Sequence, residues 1–163
     1  MSIKRGLARL AQTTPRKLDV ASVRGALPGE ARNTEHGELH LIDEFLEPQH
    51  HHGRTPIAGA LEVSTSRLAQ LALDPSLESV DVRRALFLDT ETTGLAGGTG
   101  TVPFLIGIAW FEDESLRIQQ LFLPELGREA PMLHWVRERV QQCSCVVTFN
   151  GKTFVWPLLR SRF

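Results

Sequence analysis

No apolar run in this 163-residue sequence reaches the roughly 18 residues a membrane-spanning helix needs, and no apolar signal-peptide core follows Met1. Net charge is nearly absent as well. With 18 basic and 19 acidic residues the formal charge is −1, so the chain as a whole makes no electrostatic case for nucleic acid, and any such case rests on local distribution. Cysteine is scarce, with only Cys143 and Cys145, and no second Cys/His pair lies at a zinc-ligand spacing. These absences argue against an integral membrane protein, a zinc module and a disulfide scaffold. The two thiols read as reduced core residues of a cytoplasmic protein.

A hydrophobic share of 42% and a charged share of 23% are those of a globular protein. Its most informative stretch is Arg84-Ala-Leu-Phe-Leu-Asp-Thr-Glu-Thr-Thr-Gly-Leu95. The apolar run from Ala85 to Leu88 predicts a buried strand ended by a glycine-rich turn. Residues two apart share a strand face, so Asp89 and Glu91 stand side by side while Thr90 turns away. Two adjacent carboxylates repel unless a cation lies between them or one stays protonated. Hard oxygen ligands suit Mg²⁺ or Mn²⁺. The spacing alone leaves an exposed acidic strand end equally open. Four glycines in the seven positions from Gly94 to Gly100 let backbone amides approach a ligand, but no Walker or dinucleotide pattern follows.

Around this stretch the chain divides into three parts. Residues 1–34 form a basic, loosely arranged arm, with Lys4, Arg5, Arg9, Arg16, Lys17 and Arg24 among proline and glycine. A nucleic-acid tail, a transit peptide and a merely solvated terminus all fit it. Residues 35–80 form an N-terminal extension packing on the core, with a strand over 37–47 and a short helix over 67–73 capped by Ser64 or Thr65. His50, His51 and His52 read as a polar loop rather than a metal site, because consecutive residues fan out in different directions.

Residues 81–163 then follow the order strand, strand, strand, helix, strand, helix. Strands are expected over 104–111 and 116–123, joined by a tight antiparallel link. An amphipathic helix spans 128–142, with Met132, Leu133, Val136 and Val140 inward and His134 merely decorating it. A strand over 145–149 and a helix from Trp156 complete the order. The fold class is α/β, a mixed sheet with three antiparallel strands, a helix and a parallel strand.

This order resembles the first half of a ribonuclease-H-like sheet. Phe87-Leu-Asp-Thr-Glu-Thr-Thr-Gly94 resembles the first exonuclease motif of the DEDD nucleases. Asp89 to Thr101, Phe104-Leu-Ile-Gly107 and Val147-Thr-Phe-Asn-Gly-Lys-Thr-Phe154 are similar to the YprB-type ribonuclease-H-like family over about residues 35–163. The resemblance implies metal-dependent 3′→5′ exonuclease chemistry on single-stranded DNA or RNA. It implies that Asp89 and Glu91 are catalytic acids and ligands of Mg²⁺ or Mn²⁺. Thr92, Gly94, Leu95, Asn150, Lys152 and Phe154 are the implied substrate contacts. The family pattern has an aspartate straight after the Phe154 position, where this chain has Val155, and its last acidic motif lies beyond residue 163. Two of four expected carboxylates are therefore present, which points to a crippled or inactive member.

Two other functions compete. The fold could serve as a non-catalytic nucleic-acid-binding module. Alternatively, Asp89 to Thr93 comes near the opening motif of haloacid-dehalogenase-like phosphohydrolases, which use an aspartate nucleophile. Those enzymes have Asp at the second acidic position and a helix after the first strand. This sequence has Glu91 and predicts more strands.

Overall fold

Alternating apolar residues build a six-stranded sheet in the computed structural model, which describes residues 27–94 and 100–163. The strands are β1 (Glu30–Thr34), β2 (Gly37–Leu46), β5 (Ala85–Thr92), β6 (Pro103–Glu112), β7 (Ser115–Phe122) and β8 (Cys145–Val147). Their spatial order is β1-β2-β7-β6-β5-β8. Every pair is antiparallel except β5 with β8. The expected core of three antiparallel strands, a helix and a parallel strand is present.

The N-terminal extension does more than pack on that core. β2 pairs with β7 over seven residues, from His40↔Phe122 to Leu46↔Leu116, so the extension continues the sheet itself. β1 adds a further strand, Glu30–Thr34, within the stretch the sequence presents as a loose arm. Residues 1–26, which hold the six cations named for the basic arm, lie outside the described residues. Gly29 makes the turn into β1 possible. Its φ is +97°, and a Cβ there would meet the Leu41 carbonyl oxygen at 2.4 Å.

Helices α1 (Thr65–Ala72), α2 (Ala130–Gln142) and α3 (Trp156–Arg160) cover the sheet. Ser64 caps α1 by accepting from the Arg67 amide at 3.3 Å. The main core lies between α2, α3 and one face of the sheet. Leu39, Leu41, Leu86, Leu88, Ile106, Ile108 and Leu121 pack there with Met132, Val136 and Leu159. Full burial of each such side chain contributes about 2 kcal/mol. The opposite face carries Ala85, Phe87 and Phe111. Together with α1 and residues 77–82 they line an apolar groove of about 1040 Å³.

His51 and His52 form β3, paired with β4 (Thr55–Pro56) in a small exposed hairpin. His134 is not mere decoration, since its ring stacks on His36 with centroids 3.4 Å apart, holding the β1–β2 turn against α2. The β6–β7 link is a tight hairpin, Glu112 pairing Ser115 around Asp113, which takes a positive φ of 56°. Cys143 and Cys145 are free thiols. Burial raises the Cys143 pKa, and its sulfur donates to the Val140 carbonyl at 3.1 Å, so it stays a thiol. No helix among the described residues is long and apolar enough to cross a membrane.

Candidate functional site

The last residues of β5 carry the two acids. Leu86 and Leu88 point into the helix-covered core, so the period of two sends Asp89 and Glu91 to the other face, and both are exposed. Across the ladder Asp89 faces Gly107, and Gly107 contributes no side chain over that position. A Cβ built there would touch nothing within 4 Å, so the space beside Asp89 is open. Thr90 turns inward as expected, and its buried hydroxyl finds no hydrogen-bond partner among the described residues.

After Glu91 the ladder slips at a bulge, and the chain peels away towards the glycine-rich loop. The Thr92 hydroxyl donates to the Gly94 carbonyl at 2.8 Å. The loop's base is closed twice: the Thr93 amide donates to the Val102 carbonyl, and the Val102 amide to the Thr93 hydroxyl, both at 3.0 Å. Leu95 lies outside the described residues. On the far side of the loop, the Arg162 guanidinium donates to the Thr101 carbonyl and pairs with Glu129 at 2.5 Å. That pair is largely buried, at 16% and 14% exposure. Neither Arg162 nor Glu129 stands out in the sequence, because no local pattern links positions so far apart.

The second motif block arrives through the parallel strand. Arg84, just before β5, donates to the Gln142 carbonyl at the end of α2 at 2.7 Å, and the Ser144 amide donates back to the Arg84 carbonyl at 2.9 Å. These bonds set the register Ala85↔Cys145, Leu86↔Val146 and Phe87↔Val147. Because β5 and β8 run the same way, the turn after β8 lies at the end of the sheet that bears Asp89. β8 stops at Val147 rather than Phe149. Phe149 and Asn150 form an exposed turn, with Asn150 at φ 53° and its side-chain oxygen accepting from the Thr153 hydroxyl. Gly151 fits because a Cβ there would come within 2.0 Å of Thr148 Cγ2. A π-type turn, Gly151–Val155, leads into α3.

The members of this block divide. Asn150 and Lys152 are exposed, whereas Phe154 packs half-buried against the core. Lys152 also faces the extension. The Asp74 carboxyl is held below its usual range, mainly by hydrogen bonds from the Ser76 hydroxyl and amide, with Lys152 adding a small attraction. Val155 is 4% exposed and packs in the core with Leu88, Val136 and Leu159. It is a filled apolar position.

Two comparisons bear on this arrangement. Residues 86–163 match the model of a family of the ribonuclease H superfamily. An uncharacterized protein, YprB, of Bacillus subtilis (strain 168) is 35% identical over 127 residues. The chain is ribonuclease-H-like, of the YprB type. The match covers 77% of this chain but 30% of YprB, so the chain spans under a third of that relative's length. The fold of this family is nuclease-type. The antiparallel β6 that follows β5, where a haloacid-dehalogenase-like enzyme has a helix, removes the phosphohydrolase alternative.

The carboxylates can be weighed against the metals that such nucleases use. Two-ion hydrolysis holds two cations about 4 Å apart, and several carboxylates must offset their repulsion. Among the described residues, no group of three or more His, Cys, Asp or Glu side chains is placed to hold a metal. Asp89 and Glu91 by themselves suit one divalent ion that keeps most of its waters. A two-ion centre does not fit this set of residues.

Proposed function

We propose that this chain engages single-stranded DNA or RNA through the end of the sheet bearing Asp89, Glu91 and the Asn150 turn. Its family chemistry is metal-dependent 3′→5′ exonuclease hydrolysis. In this sequence the site holds at most one hydrated Mg²⁺ or Mn²⁺, and strand engagement outlives cleavage. Asp89 and Glu91 hold that ion, which would draw a phosphate to the strand end. Thr92, Gly94, Leu95, Asn150 and Lys152 supply the hydroxyl, amide and cationic contacts to the backbone of the strand. The observation that carries the reading is the pairing of two exposed acids on β5 with a buried Val155 where the family pattern has an acid.

The non-catalytic binding module is the second reading. The same burial of Val155 favours it over a fully competent enzyme. A paired assay tests both. End-labelled single-stranded DNA and RNA are incubated with the chain in Mn²⁺, and their binding is measured with and without the metal. The expected result is binding that weakens steeply with salt, tightening by Mn²⁺ that Asp89→Asn abolishes, and no measurable shortening. Mn²⁺-dependent shortening that Asp89→Asn removes would overturn the one-ion assignment. Absence of binding to either strand at low salt would overturn the nucleic-acid reading.

A further inference from the structure

We infer that Phe149 is a base-stacking residue, receiving a nucleobase of the bound strand beside Asp89 and Glu91, with Lys152 contacting the adjacent phosphate. The inference deepens the nucleic-acid reading above and rests on it. Phe149 is 89% exposed, the most exposed aromatic side chain among the described residues. Other exposed aromatics have partial cover: Phe45 lies under the Arg117 guanidinium at 5.2 Å, and Trp156 and Phe163 are each more than half buried. No described residue makes use of the Phe149 ring, and leaving so large an apolar surface in water is unfavourable.

Its position is held firmly. Val147, two residues earlier, pairs with Phe87 in parallel register, which places both on the face that carries Asp89. Both also line the same groove. The turn bearing Phe149 is pinned by three features: the αL conformation of Asn150, its bond from Thr153, and the close approach of Gly151 to Thr148. A ring on a rigid turn loses little freedom when a base stacks on it. Lys152 follows three residues later and is exposed. An aromatic face next to a cation is the pairing that sequence-tolerant single-strand binders use, since every base has a π-face and every link a phosphate. An apolar protein segment would contact Phe149 equally but has no use for the neighbouring Lys152 charge or for the two acids.

Binding of a roughly 12-nucleotide oligothymidylate, and of an abasic strand of the same length, is measured in EDTA by fluorescence anisotropy. Unchanged circular dichroism and thermal midpoint confirm that each variant folds. Phe149→Ala is expected to weaken binding of the base-bearing strand roughly tenfold. Phe149→Trp should retain it, and Phe149→Leu should behave as Phe149→Ala does. On the abasic strand wild type and Phe149→Ala should bind alike, while Lys152→Met lowers the salt slope by about 0.7. Equal binding of the base-bearing strand by wild type and Phe149→Ala would overturn stacking while leaving the nucleic-acid reading intact. Wild-type affinity in the Phe149→Leu variant would show a generic apolar contact and overturn it too. Failure of the wild type to bind either strand, in EDTA and again with Mn²⁺ in place of the EDTA, would overturn both.

Discussion

Val155 carries opposite meanings in the family motif and in the folded chain. Substituting aspartate there would place a carboxylate among Leu88, Val136 and Leu159. Val155→Asp is therefore expected to cost roughly 3 kcal/mol or more, measured by urea unfolding, because the charge gains no partner in exchange for water. A Val155→Asp protein as stable as wild type would show that the side chain reaches out of the core. Gly29 offers a second residue-scale case. Gly29→Ala forces both a positive φ and a collision with the Leu41 carbonyl, and should lower the unfolding free energy by about 1–3 kcal/mol. The sequence disclosed the side-by-side acids directly, since alternation along a strand is a local rule. It could not disclose that Val155 is core, because that depends on which face of which sheet the turn after β8 meets.

Among elements, ion pairs tie segments that sequence pattern treats separately. Arg117 on β7 bonds Asp43 of β2 at 3.0 Å and Glu112 of β6 at 2.8 Å. The bond from Arg117 is the main cause that lowers the Glu112 pKa, despite some opposing burial. A depressed carboxylate adds stability that is complete above its ordinary value near 4.5 and is lost as pH falls through the lower folded value. Both groups are partly exposed, so the loss is small, below about 1 kcal/mol. Glu112→Gln should flatten part of the acid limb of the thermal midpoint between about pH 5 and pH 3. The Arg162–Glu129 pair is better shielded. Arg162→Met leaves Glu129 without its cation and should cost roughly 3 kcal/mol by denaturant titration, with the largest loss of amide protection at Thr101 and Val102. The positions of β2, β5, β6, β7 and β8 and of both longer helices were legible within a few residues, because apolar periodicity marks them, whereas β1, mostly polar along its length, was read as part of the arm. The neighbour of β2 was not, since periodicity names the buried face and not the adjoining strand.

At the scale of the whole molecule, the two halves of the candidate site meet through one short parallel ladder. Phe87 and Val147 are joined across 60 residues of chain by a pairing only three residues long. β5, β6 and β7 form by adjacent hairpins, whose loops close at low entropic cost, whereas β8 must wait for α2 to cross over. By the same argument the acids on β5 are in place before the Phe149 turn joins them. The shortest ladder of the six-stranded sheet is the one that brings the two halves of the site together. Native-state hydrogen exchange should therefore find the amides of Cys145–Val147 opening well before those of Ile106 and Ile108. A bound strand that touches both halves would close that gap by slowing exchange in β8 far more than in β6.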